Sequence, residues 1–152
     1  MLISRESPLG TDLALLMARH TADMHADTPP ESIHMMDAGQ LDVPAVQFFV
    51  GRIAGQAAAM GAIKEIDASH AEVKSMHVLI EHRGKGLSRA MLDYLIAAAR
   101  ASGFTRLSLE TGTQEMFTPA RRLYEKAGFT ECPPFEGYAL DPNSHYMTRD
   151  LA

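Results

Sequence analysis

A short glycine loop between a predicted strand and a long predicted helix constrains this chain more than any other feature. The loop reads Arg-Gly-Lys-Gly-Leu-Ser over 83–88, and apolar residues at helical spacing follow it as far as Ala101. Such a loop leaves backbone N–H groups unpaired at the positive end of a helix dipole, where they can bind an anion. Arg83, Lys85 and Arg89 add formal charge. The unit predicts a pyrophosphate site; the simpler alternative is a turn with solvated basic residues.

Two other phosphate-binding motifs do not fit the spacing of this loop. A P-loop has four residues between its glycines and then Lys-Ser/Thr, whereas a single residue separates Gly84 from Gly86. The dinucleotide fingerprint needs a third glycine at the position of Arg89. The strands before the loop are also predicted to form antiparallel hairpins. Both nucleotide-binding classes are therefore excluded.

The rest of the chain shows no repeat and no linker, which predicts one domain over residues 1–152. The predicted order is α-β-β-β-α-β-α-β-β. Hairpins combined with one strand–loop–helix–strand unit predict a mixed, mostly antiparallel α/β (α+β) sheet flanked by helices. The predicted helices cover 8–25, 87–101 and 119–127, and the predicted strands cover 43–50, 56–66, 71–80, 105–111, 129–132 and 146–151.

The predicted strand at 71–80 has polar residues on both faces, which is unusual for a central strand. Strict alternation predicts two faces, one with Glu72, Lys74, Met76 and Val78 and the other with Val73, Ser75, His77 and Leu79.

Composition removes several classes of function. A net charge of −5 argues against nucleic acid as the main ligand. No apolar run reaches the ~20 residues of a membrane helix, and no signal-peptide core is visible, so a cytoplasmic protein without membrane association is expected. The single cysteine, Cys132, excludes an internal disulfide and is interpreted as a packed residue. The seven histidines lack metal-ligand spacing, so no metal is expected.

Two motifs in this order resemble the Gcn5-related N-acetyltransferase (GNAT) superfamily. The segment 83–88 is similar to its acyl-CoA loop, Arg/Gln-x-x-Gly-x-Gly/Ala, with Ser88 in the last small position. The run Leu-Tyr-Glu-Lys-Ala-Gly-Phe over 123–129 resembles its second signature. The element order extends the resemblance over nearly the whole chain. The segments 109–120 and 132–138 are similar to a bacterial branch of small-molecule acetyltransferases.

The resemblance implies the GNAT fold and transfer of an acetyl group from acetyl-CoA to an amine of a small molecule. It implies a V-shaped splay between the strands at 71–80 and 105–111, and a backbone N–H near Val78 that stabilises the developing oxyanion. Relatives carry an Asn before the helix of the second signature; Thr118 is the expected replacement. The expected acetyl-CoA contacts are Met76, His77, Val78, Arg83, Gly84, Lys85, Gly86, Leu87, Ser88, Arg89 and Thr118.

The resemblance also assigns catalytic roles. Tyr124 is the expected general acid, because a phenol with a pKa of about 10 is protonated at neutral pH and can donate to the leaving thiolate; its alternative role is packing against the sheet. Glu72 is the expected general base, which an ammonium acceptor needs before attack. Its alternative role is an ion pair with Lys74 on the same strand face. Glu110, across the cleft, is the rival base.

The acceptor itself is not identified by the sequence. The expected acceptor contacts are one carboxylate and residues of the flanking loops, namely Glu110, Thr111, Phe117, His34, Phe135 and Tyr138. A catalytically silent acyl-CoA sensor or regulatory module is the alternative from a different class. A homodimer formed through edge strands or C-terminal segments is compatible with this architecture.

Overall fold

A seven-stranded mixed sheet runs through the protein in the computed structural model, which describes all 152 residues. The strand order is β1-β2-β3-β4-β5-β7-β6, and every neighbouring pair is antiparallel except β4 and β5. The strands are β1 (Leu2–Arg5), β2 (Val46–Ile53), β3 (Gln56–Glu65), β4 (His70–Val78), β5 (Arg106–Gly112), β6 (Thr130–Glu131) and β7 (Ser144–Asp150). The helices are α1 (Ala14–Ala26), α2 (Ala38–Leu41), α3 (Leu87–Ala101) and α4 (Thr118–Lys126).

Both faces of the sheet are covered, so the chain has two apolar cores. On one face, the buried side of α3 packs with α4 against β3, β4 and β5. On the other face, Leu13 and Leu16 pack against Phe48 and Met60. Two-sided burial explains why β2 and β3 consist of nearly continuous apolar runs instead of alternating ones. The predicted α/β sheet flanked by helices is confirmed.

The parallel strands β4 and β5 pair only at their beginning. Their register runs from His70 opposite Arg106 to Glu72 opposite Ser108 and then stops. Beyond this point the two strands diverge, which confirms the predicted splay and opens a V-shaped cleft in the middle of the sheet. Since a sheet interior is normally closed by hydrogen bonds, this gap is the natural place for a ligand.

A β-bulge in β4 overturns the predicted faces of that strand. The β3–β4 register shifts between Met60 and Ala62, and Ser75 has a φ of 56°. As a result Val73 and Val78, which strict alternation puts on opposite faces, lie in the same core. The prediction that Met76 and Val78 share a face with Glu72 is wrong, because the extra residue inverts the alternation after the bulge.

The N-terminal region also differs from the sequence prediction. Strand β1, missed in the predicted order, pairs with β2 at the edge of the sheet. It is four residues long and mostly exposed, so it has no hydrophobic alternation. The helix predicted over 8–25 starts only at Ala14. It is preceded by a turn in which the Ser7 hydroxyl accepts a hydrogen bond from the Leu9 N–H, and by a 3₁₀ turn at Thr11–Leu13. No helix is long and apolar enough to cross a membrane.

Candidate active site

The divergence of β4 and β5 forms a cleft of about 470 Å³. Its walls come from both strands, from α1 and the segment after it, from α4, and from the glycine loop at the start of α3. Polar, titratable and apolar side chains line it together. A deep cleft with convergent polar groups at a break in a sheet is the arrangement expected of a small-molecule site.

The glycine loop presents a row of unpaired backbone donors. None of the N–H groups from Gly84 to Arg89 donates a hydrogen bond within the protein, and the first donor in the series is Ala90, to the Gly86 carbonyl. Gly84 and Gly86 have φ values of 77° and 79°, a backbone conformation that residues other than glycine rarely adopt. These donors lie at the N-terminus of the 15-residue helix α3. The loop can therefore bind a phosphate group.

The basic side chains of the loop differ in their contacts. Arg83 Nε donates to the Val78 carbonyl at 2.8 Å, and a terminal nitrogen of Arg83 donates to Asp23 of α1 at 3.0 Å. Arg89 pairs with Asp93 one turn along α3 at 2.9 Å. Arg83 thus ties the loop to β4 and α1, and its charge is partly balanced by Asp23.

Tyr124 extends from α4 to the cleft and is only 7% exposed. Burial raises the pKa of its hydroxyl to about 12, and the negative charge of Glu110 acts in the same direction. The ring also packs edge-on against Phe129 at 5.9 Å. Tyr124 therefore both packs in the core, which is its alternative role, and lines the cleft. A phenol with this pKa stays protonated at neutral pH and can donate a proton or a hydrogen bond.

Glu110 lies on β5 and lines the same cleft. Burial raises the pKa of its carboxyl to about 7. A carboxyl with a pKa near the working pH can both take up and release a proton, which a general base must do in each cycle.

Glu72, the other candidate base, is held in a buried network. Its side chain is 2% exposed; Tyr138 Oη donates to its Oε2 at 2.5 Å, and Lys74 Nζ lies 3.5 Å from the same oxygen. Lys74 in turn donates to Tyr138 Oη and to the His34 carbonyl, both at 2.9 Å. The expected alternative for Glu72, an ion pair with Lys74, is thus present, although Glu72 also lines the cleft.

The structure brings most of the predicted site residues to one cleft. The predicted residues that line it are His34, Glu72, Met76, His77, Val78, Arg83, Gly84, Ser88, Glu110, Thr111, Phe117 and Tyr124. Those that do not line it are Lys85, Gly86, Leu87, Arg89, Thr118, Phe135 and Tyr138. In this second group, Tyr138 still reaches the site through Glu72, and Thr118 accepts a hydrogen bond from Arg121 at 2.9 Å.

Sequence reasoning missed the α1 wall of the cleft. His20 and His77 stack edge-on at 5.3 Å, and burial lowers the pKa of each ring to about 4, so both are neutral. His20 could have been found, because it recurs at helical spacing with Leu13 and Leu16. Arg121 also donates to the Gly112 and Gln114 carbonyls at 2.7 and 3.0 Å. No sequence pattern indicated these contacts.

Comparison with known proteins agrees with this geometry. Residues 15–129 match the model of the "Acetyltransferase (GNAT) family". The chain is 41% identical over 142 residues to the uncharacterized N-acetyltransferase YsnE of Bacillus subtilis, covering 93% of this chain and 94% of that protein. It is 36% identical to an IAA acetyltransferase of Azospirillum brasilense, covering 98% and 97% of the two chains.

Solved structures show the same fold. An acetyltransferase from Streptococcus agalactiae superposes with a TM-score of 0.76 at 23% identity, covering 98% of this chain and 97% of that one. The family match, the two relatives and the V-shaped cleft lead to one conclusion: the chain belongs to the GNAT family of acetyltransferases.

Proposed function

We propose that this protein transfers the acetyl group of acetyl-CoA to an amine of a small-molecule acceptor, with Glu110 as general base and Tyr124 as general acid. The observation that carries the proposal is the pairing of these two groups in one cleft. Glu110 has a pKa of about 7 and Tyr124 one of about 12, so one can accept a proton while the other still holds its own.

The donor side of the proposal is supported by the glycine loop. A pyrophosphate would accept hydrogen bonds from the unpaired N–H groups between Gly84 and Arg89, at the positive end of α3. Lys85 forms no ion pair within the protein, so its charge is available to the anion. An acyl arm extending from this loop along β4 would bring its thioester to the region between Glu110 and Tyr124.

The choice of base follows from the different surroundings of the two carboxylates. Glu72 accepts a short hydrogen bond from Tyr138 and lies beside the Lys74 ammonium. Both contacts hold the Glu72 carboxylate within a network of the protein's own side chains. Glu110 has no such cation in contact, and its burial favours the protonated form. Glu72 stays the alternative base.

The reaction balances with these residues alone. The amine nitrogen forms a bond to the carbonyl carbon as the carbon–sulfur bond breaks, and the proton lost by the nitrogen passes to Glu110. The sulfur leaves as a thiol after taking the hydroxyl proton of Tyr124. Proton return from Glu110 to Tyr124 through solvent completes the cycle. Positioned acids and bases of this kind typically contribute about 10²–10⁴-fold in rate.

Polar residues line the cleft on both sides. His20, Thr28 and Ser32 line it from the α1 side, and Asn143 lines it from the β6–β7 connection. A small amine with further hydrogen-bonding groups suits this lining better than an apolar one. Because one relative is named an IAA acetyltransferase, IAA belongs among the acceptors to be tested.

The test measures CoA release from acetyl-CoA with a panel of polar amines and IAA. The expected result is acceptor-dependent release that falls strongly in Glu110→Gln and Tyr124→Phe. Glu131→Gln, an exposed carboxylate on β6, is the matched control and should keep the parent rate. Tight binding of acetyl-CoA without turnover on any acceptor would instead support the acyl-CoA sensor. Lack of acetyl-CoA binding would refute both.

A further inference from the structure

The cleft narrows to a point where the pairing of β4 and β5 stops. The last pair in the register is Glu72 opposite Ser108, so the next residues, Val73 and Leu109, flank the point of the V. Both side chains belong to the core that includes the buried side of α3, and both residues also line the cleft. They therefore stand on opposite sides of the narrowest part of the gap and face the same side of the sheet.

This end of the cleft is apolar and closed. Val73 is 5% exposed and Leu109 is 1% exposed, so the packed core begins directly behind them. Glu72 precedes Val73 and Glu110 follows Leu109, and successive side chains of a strand point to opposite faces of the sheet. The carboxylates thus lie on the other face, and the point of the V on the α3 side suits only a small apolar group.

In the proposed complex, the acyl group is the part of the donor that reaches this end. The glycine loop follows the C-terminal end of β4, and the two strands diverge toward that end. An acyl arm anchored at the loop by its pyrophosphate therefore runs from the open end of the V toward its point. With the thioester between Glu110 and Tyr124, the carbons beyond the carbonyl point toward Val73 and Leu109.

We propose that Leu109, opposite Val73, sets the length of the acyl group that the protein accepts and limits it to acetyl; this rests on the proposed function. The methyl of an acetyl group can lie against the two apolar side chains. The additional methylenes of a propionyl or butyryl group meet a filled core, which accommodates them only by displacing side chains. One methylene in an apolar pocket is typically worth about 10- to 200-fold in selectivity.

Isothermal titration with acetyl-, propionyl- and butyryl-CoA tests this limit without an acceptor. The parent protein should bind butyryl-CoA at least about tenfold more weakly than acetyl-CoA. Leu109→Ala removes most of one wall, so the variant should bind butyryl-CoA at least as tightly as acetyl-CoA, which changes the ratio of the affinities by about tenfold or more. With an acceptor that is turned over, kcat/KM for butyryl-CoA relative to acetyl-CoA should rise by a similar factor.

Leu107→Ala is the matched control for a general loosening of the core. Leu107 lies on β5 two residues before Leu109, is fully buried in the same core and does not line the cleft. Both substitutions should lower Tm by several degrees, because each leaves a cavity in the core. Only Leu109→Ala should change the ratio of the affinities. If Leu109→Ala does not fold, the milder Leu109→Val carries the test and should favour propionyl-CoA relative to acetyl-CoA.

The outcomes distinguish this inference from the proposed function. A parent protein that binds no acyl-CoA refutes both. A parent protein that binds butyryl-CoA as tightly as acetyl-CoA refutes the length limit and leaves acyl transfer standing. An unchanged affinity ratio in the folded Leu109 variant overturns the role of Leu109, and so does an equal change in Leu107→Ala, since the selectivity would then depend on the core as a whole.

Discussion

Replacing Glu110 by Gln tests the basis of the proposed chemistry through stability. A carboxyl that titrates at 4.5 in the unfolded chain and at about 7 in the folded protein is protonated more readily when folded. The folded state therefore loses stability as pH rises from about 4.5 to about 7. At 1.36 kcal/mol for each pH unit between the two values, the full cost is about 3 kcal/mol. Gln, which cannot ionise, avoids it.

The stabilising effect of Glu110→Gln should therefore depend on pH. Relative to the parent protein, the variant should gain about 3 kcal/mol of unfolding free energy at pH 8 and about 1 kcal/mol at pH 5. Urea unfolding at both pH values, with Glu131→Gln as the exposed control, measures this difference. A pH-independent effect of Glu110→Gln, or an equal pH dependence in the control, would refute the reasoning that Glu110 is buried with a raised pKa.

Three further variants test other parts of the site. Tyr124→Phe should lower kcat at least tenfold and leave the Kd for acetyl-CoA within twofold, because only the proton donor is lost. Stopped-flow CoA release measures kcat and titration measures the Kd. An unchanged kcat contradicts the assignment. Gly86→Ala should weaken acetyl-CoA binding and destabilise the fold by about 1–2 kcal/mol in chemical unfolding. The loss of stability comes from the φ of 79° alone, because an added Cβ would meet no atom within 4 Å. Tyr138→Phe removes a hydrogen bond to the buried carboxylate of Glu72 and should cost about 2 kcal/mol in urea unfolding; no loss would mean that this bond is not a net contributor.

The elements that were predictable from the sequence are those whose pattern lies within one continuous segment. Helix α3 was predicted with both ends in place, because its apolar spacing and the flanking Gly86 and Gly103 are properties of one segment. Strand β1 was missed, because a short, exposed edge strand is recognised only through its pairing with β2, some 45 residues later. The bulge at Ser75 was also invisible, since an inserted residue changes register without changing composition.

In the candidate site, too, local features were predictable from the sequence and long-range contacts were not. The motif at 83–88 predicted the unpaired N–H groups, because the loop and the start of α3 are contiguous. The ion pair of Glu72 with Lys74 was foreseeable from their spacing on one strand face. The bond from Tyr138 to Glu72 was not, because it joins residues 66 positions apart through a loop whose path is set by packing.

The two carboxylates show why the catalytic base is difficult to assign from the sequence alone. The resemblance to the family makes Glu72 the expected base and Glu110 its rival, but the sequence does not show the surroundings of either carboxylate. Folding places a cation and a phenol on Glu72, whereas it buries Glu110 without a cation in contact and so raises the pKa of Glu110 to about 7. If Glu110 is the base, the rate should rise with pH through about 7 and this rise should disappear in Glu110→Gln. If Glu72 is the base, Glu110→Gln should keep most of the parent rate and Glu72→Gln should lose it, so the rates of the two variants distinguish the two assignments.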